Sequence, residues 1–179
     1  MNPSLNFALE ISNLHWLEGL EAHLDLCAHG YALVRIGDEV IGSPSQEDKW
    51  TMSAASFHLL RTLTRDHTPD DRIAEHLIPH CGHDMWELND GSLWIVGCNS
   101  GVDWFVRHKD GDIELESPGG SRVLVPFDDW RDAVLKIADA VEAFYANAGP
   151  KEFYDVHDQR GYDLFWREWK AMRSRWPRL

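Results

Sequence analysis

Six side chains able to hold a metal or move a proton crowd one stretch of the chain: His67, His76, His80, Cys81, His83 and Asp84, with Cys98 a strand away. Imidazole and thiolate are the ligands zinc prefers, so a metal site has to be weighed first. The spacing argues against one. His76 and His80 stand four apart, but Pro79 breaks the helix that would align them. The stretch has neither the Glu of a metalloprotease helix nor a Cys-x-x-Cys pair. The plainer expectation is that His80–His83 turns the chain into a sheet, with Cys81 as a small buried apolar residue. No metal or other cofactor is expected; a site built from His80, Cys81, His83 and Cys98 stands as the alternative. A nucleophilic thiol needs a base in reach and a cation or helix N-terminus to lower its pKa. Neighbouring histidines offer Cys81 the base, whereas Cys98, ending the apolar run Leu93–Gly97, reads as core.

Carboxylates form a second set. Asp70/Asp71 and Asp128/Asp129 suit helix N-termini, where acids meet the positive end of the dipole. Asp112, Glu114 and Glu116 alternate with Ile113 and Leu115, so one strand face is acidic while the other is apolar. A solvated face explains such a stripe, and an acidic stripe also suits a cationic partner. The expected partner surface is therefore Asp103, Asp110, Asp112, Glu114 and Glu116, with Trp104 as an aromatic anchor. A glycosidase reading would need one of these acids in a cleft with a raised pKa. The glycines at 91, 97, 101, 111, 119 and 120 make no phosphate-cradling pattern.

These side chains need elements to hold them. Leu14, Leu17, Leu20, Leu24 and Cys27 recur at spacings of three and four and predict a helix over Leu14–Ala28, ended at Gly30. Tyr31–Ile36 and Glu39–Ile41 around Gly37-Asp38 predict a hairpin, and Gly42–Lys49 a loop. Ser53 would cap a helix through Arg65, and Thr68-Pro69-Asp70-Asp71 would start another ending before Pro79. From Met85 to Val125 the period changes to two. Met85–Leu88, Leu93–Val96, Val102–His108, Asp112–Glu116 and Arg122–Val125 read as strands joined by Gly-containing turns. Asp128 would cap a long helix ending at Gly149-Pro150, and Asp158–Arg175 would form the last. The expected architecture is α+β: an antiparallel meander of about five to seven strands, packed by N- and C-terminal helices in one two-layer domain. Its parts are helices and hairpin at 13–78, meander at 84–125 and helices at 128–175.

The 179 residues carry a formal net charge of −13, concentrated in residues 1–147. Such a field repels phosphate backbones and anionic lipid, so neither nucleic acid nor membrane is an expected partner. Three cysteines at irregular spacings point to a reducing compartment, and Met1–Ser4 lacks the start of a signal peptide. A cytosolic location follows as the expectation. Nine tryptophans exceed what a core this size requires, and surplus Trp is characteristic of interface anchors. The basic last helix (Arg167, Lys170, Arg173, Arg175) would use its aromatics to dock onto the body.

Leu77-Ile78-Pro79, the Leu93–Cys98 strand, Gly101-Val102-Asp103-Trp104-Phe105-Val106 and Phe127-Asp128-Asp129-Trp130 follow one another in an order that resembles the SMI1/KNR4 (SUKH) superfamily. The resemblance covers about two-thirds of the chain. The turn at 80–83 and the Trp-rich last helix are additions to the pattern. The resemblance implies a non-enzymatic α+β fold and a role as an immunity protein that binds and blocks a bacterial toxin. It carries over no catalytic residue. The expectation is thus a protein-binding module, monomer or dimer, whose concrete partner is a basic toxin occluded by its surface. A small metal-binding protein or enzyme and a regulatory scaffold are the competing readings.

Overall fold

A computed structural model describes residues 6–42 and 50–176. Residues 43–49 of the expected loop Gly42–Lys49 lie outside them, as do the first five and the last three residues, and Gly42 itself ends a strand. The described chain is α+β, with three helices and four antiparallel ladders around one continuous apolar core.

The first ladder is built on strand β2 (His29–Ile36), which pairs with β1 (Phe7–His15), β3 (Glu39–Gly42) and the short β4 (Trp50–Thr51). Every second residue of β2, from Gly30 to Ile36, is buried, the period of a half-covered strand. Helix α1 (Met52–Thr62) follows directly and is buried at every position but Arg61. Apart from His58 and Arg61 its side chains are apolar or small, and a helix buried on nearly every side belongs inside a domain. Thr51 occupies its N-cap in place of the expected Ser53.

Two further ladders are short antiparallel pairs. β5 (Ile78–Pro79) pairs with β8 (Gly101–Val102), and β6 (Asp84–Glu87) pairs with β7 (Leu93–Val96). The last is a true meander of β9 (Phe105–Lys109), β10 (Asp112–Glu116) and β11 (Arg122–Pro126). Asp110 and Gly111 both take positive φ, 44° and 97°, the two-residue turn whose twist matches its strands. The strand runs therefore lie close to where alternation puts them, but they close as separate ladders.

Helix α2 (Phe127–Ala146) packs on α1 and β1, and α3 (Val156–Arg173) packs on α1, β6 and β7. Pro126 holds the N-cap position of α2, with Asp128 and Asp129 in its first turn; Asp155 caps α3 by accepting from Asp158 N–H at 3.0 Å. Trp130 and Trp169 bury their rings and donate Nε1–H to Thr62 Oγ1 and Glu142 Oε1. Such partners satisfy the polar ends of these two buried indoles, whereas the buried Trp104 Nε1 has none among the described residues.

Two expected helices are absent. Residues 16–28 form turns, with Gly19 at a φ of +85° inside the leucine stripe. Residues 68–77 also form turns, held by side chains that replace helical bonds. Thr68 Oγ1 accepts from Asp71 N–H at 3.2 Å, His67 Nδ1 from Ile73 N–H at 3.0 Å, and Asp103 Oδ1 from Leu77 N–H at 3.0 Å. Local side-chain acceptors of this kind compete with helix formation, and here they prevail.

Candidate functional site

The leucine stripe that does not become a helix becomes one wall of a groove. The loop 16–28 crosses the surface between β1 and β2 with Leu17, Leu20 and Leu24 exposed at 48%, 40% and 45%. These leucines, with Asp25, His29, Thr51 and the turn at His80, Cys81 and His83, line a space of about 500 Å³. Asp158, at the start of α3, also lines it.

The loop is pinned from beneath. Asp25 is buried, and its carboxylate accepts from Leu17 N–H at 2.7 Å and Cys27 N–H at 3.0 Å, with His29 Nε2 3.5 Å away. Burial pushes this carboxyl up, but hydrogen bonds from His29, Leu17 and Cys27 outweigh it and hold the group below the usual carboxylate range. Lys151 donates to Ala22 O and Asp25 O, both at 2.7 Å, and its ammonium lies 3.4 Å from the centre of the Trp16 ring. Burial lowers the Lys151 pKa to about 8. Tyr145 Oη donates to Leu26 O and accepts from Ala28 N–H. Cys27 is buried below the groove and donates to Gly82 O at 3.5 Å. Burial, then the nearby Asp25 charge, pushes its thiol up to about 12, which makes it inert as a nucleophile.

The opposite wall depends on close backbone approach. A Cβ at Gly82 would stand 2.6 Å from the Ala54 Cβ, so only glycine lets the 80–83 turn lie on the start of α1. Thr51 Oγ1 donates to His80 O at 2.8 Å and fixes the turn at its other end. The β5–β8 pairing continues as His80 N–H to Ser100 O at 3.0 Å and carries the 97–100 connection alongside. Cys81 and Cys98 thereby meet. His80 Nδ1 is 3.4 Å from Cys81 Sγ and 3.8 Å from Cys98 Sγ. The thiols are unequal: contact with the Ser100 backbone holds Cys98 below its ordinary value, while the hydrogen bond to Cys98, then burial, push Cys81 above it.

The proposed ligand and partner residues separate clearly in space. His80, Cys81 and Cys98 come together, and Cys98 is half-exposed instead of core; His83 stands apart, exposed on the groove wall. Asp103 is not a surface acid but a brace, 3.1 Å from the fully buried His67. Trp104 is 1% exposed and belongs to the core. Of the nine tryptophans only Trp86 is exposed. Asp110 occupies the tip of the β9–β10 turn, with Asp112 half-buried behind it. Glu114 and Glu116 face Arg107 at 3.4 and 2.6 Å, and Glu116 also meets Arg122 at 2.7 Å. Those two arginines neutralise most of the acidic stripe from within its own sheet.

Comparison with family models, with characterised proteins and with solved structures finds no match to this chain.

The residues that make the groove were hidden by their own periodicity. Leu17, Leu20 and Leu24 read as the buried side of a helix, and only Gly19 between them signalled otherwise. Asp25 and Lys151, 126 positions apart, meet through tertiary packing that no local pattern announces. Among the described residues no helix is long and apolar enough to cross a membrane.

Proposed function

We propose that this protein is a protein-binding module that acts through the groove between the 16–28 loop and the 80–83 turn. Its concrete form is an immunity-type inhibitor that occludes a basic bacterial toxin. The observation that carries the reading is three half-exposed leucines on a loop pinned by Asp25, Lys151 and Tyr145. Apolar side chains held outward by a pre-ordered backbone lose little entropy on binding, which is how affinity is gained from modest area. Contiguous exposed apolar surface of this kind favours an interaction site.

The charge supports a basic occupant. Glu18 and Glu21 are exposed on the same loop, and Asp158 lines the far side. An apolar anchor flanked by lysines or arginines would place its side chain among the leucines and its charges on this rim. The overall charge of −13 would speed its encounter. The order of motifs that resembles SMI1/KNR4 proteins agrees with such a role. The reading assigns no catalytic residue.

The test is direct binding to the product of the adjacent reading frame, measured by calorimetry at low and raised salt. The reading predicts a one-to-one complex that weakens with salt and loses at least about tenfold in affinity, roughly 1.4 kcal/mol, on Leu20→Asp. A complex indifferent to Leu20→Asp, or none with any neighbouring product, would defeat it.

A further inference from the structure

The cluster at the edge of the groove supports a second site with different chemistry. His80 Nδ1, Cys81 Sγ and Cys98 Sγ all lie within 4.8 Å of one another. In a tetrahedral zinc site, Zn–S of about 2.3 Å and Zn–N of about 2.0–2.1 Å place nitrogen and sulfur about 3.6 Å apart along each edge. The two N···S separations here, 3.4 and 3.8 Å, bracket that edge. With both N···S edges near this length and the two sulfurs within 4.8 Å of each other, the three groups need little movement to accept an ion.

The backbone imposes this arrangement. Ile78 pairs with Val102 and Pro79 with Gly101 in one ladder, and Asp84 pairs with Val96 in the next. The connections 80–83 and 97–100 therefore run side by side between two ladders. His80 N–H to Ser100 O locks their register, and the Gly82 approach to Ala54 fixes their depth. Among the described residues no disulfide ties either cysteine. His80 is exposed, which leaves one corner open to solvent.

We infer that His80, Cys81 and Cys98 form a three-ligand site for a thiophilic divalent cation, zinc in the first instance, with its fourth position open. Two thiolates and one imidazole select zinc over magnesium or calcium, which require oxygen donors. The ligand set has the composition of open zinc centres, so the fourth position can take water or a group of a bound molecule. The inference is independent of the proposed protein partner, because the site is complete within this chain.

The experiment uses the full, untagged, fully reduced chain stripped of metal. Zinc is titrated in competition with a chromogenic chelator, and cobalt(II) serves as the spectroscopic probe. The expected result is one ion per chain and a cobalt spectrum with strong tetrahedral d–d bands and thiolate charge transfer. Cys98→Ser and Cys81→Ser should each weaken the charge transfer and lower zinc affinity by at least the roughly 10–100-fold that follows disturbance of a ligand's supporting partner. His83→Ala should leave stoichiometry and affinity unchanged. Far-UV circular dichroism on each variant separates loss of a ligand from loss of the fold. Substoichiometric zinc in the reduced protein, a cobalt spectrum without charge transfer, or a folded Cys98→Ser variant with undiminished affinity would each overturn the assignment. So would a loss of affinity in His83→Ala, since it would make His83 a ligand. A partner that binds equally well to zinc-free protein would leave the metal site standing and bear only on the groove.

Discussion

Acid should loosen this fold through His58 as the pH falls below about 6.5. His58 lies in the middle of α1, 2% exposed, beside Phe57 and with no hydrogen-bond partner for Nδ1 among the described residues. Burial, then the charge of Arg61, lowers its pKa from 6.5 to about 3. The unfolded chain takes up a proton at this position as the pH falls through about 6.5, while the folded chain does so only near 3. Stability is therefore intact above the upper value and is lost progressively below it. At pH ~4.5 the imidazole is about two units below its unfolded pKa, which at about 1.4 kcal/mol per unit costs about 2–3 kcal/mol. That is a large part of the roughly 5–15 kcal/mol that holds an ordinary domain together. The assay is urea unfolding at pH ~7 and ~4.5 for the wild type and for His58→Leu, a change that keeps a good helix former at the site. Any packing change in the variant is the same at both pH values and cancels in the difference. The wild type should lose about 2–3 kcal/mol more than His58→Leu over this interval. Equal losses would refute the reasoning, because they would mean that His58 is protonated in the folded state or reachable by water.

Three other changes probe the groove and its supports. Lys151→Met keeps an unbranched side chain but removes both hydrogen bonds to the loop and the ammonium over Trp16, and should cost about 1.5–3 kcal/mol. Amide hydrogen exchange should then quicken across 16–28 while α1 stays protected. Gly82→Ala drives a methyl group into Ala54 and should lower stability by about 1–3 kcal/mol, measured by thermal melting. Trp104→Ala should cost about 3–5 kcal/mol through its empty core position, whereas the exposed Trp86→Ala should change the melting temperature little.

The parts of the fold that follow local rules could be read ahead of the structure. The alternation of Asp112–Glu116 and the Asp110-Gly111 turn specify their hairpin by themselves, since pleat and positive φ are local properties. Trp130, Val134, Ile137 and Val141 likewise describe the buried side of α2. The helices expected at 14–28 and 68–78 failed where long-range contacts decide. Asp25, Lys151 and Tyr145 satisfy the backbone of the first in turns, and His67 and Asp103 do so for the second. Trp104 misled as a surface anchor for a related reason: tertiary packing buries it with Trp130 and Trp169 in the core. The sequence set His80, Cys81, His83 and Cys98 together as an alternative ligand set, although their spacing argued against a site. The ladders bring His80 and Cys81 to Cys98 and leave His83 apart.

Growth rescue tests the central claim most directly. The product of the adjacent reading frame is expressed in cells with this chain, either wild type or carrying Leu20→Asp, a change confined to an exposed position. The account predicts that the neighbouring product arrests growth, that the wild type restores it, and that the Leu20→Asp variant, equally abundant and equally stable, does not. Full protection by the variant, or failure of the wild type to protect against an active neighbour, would contradict it.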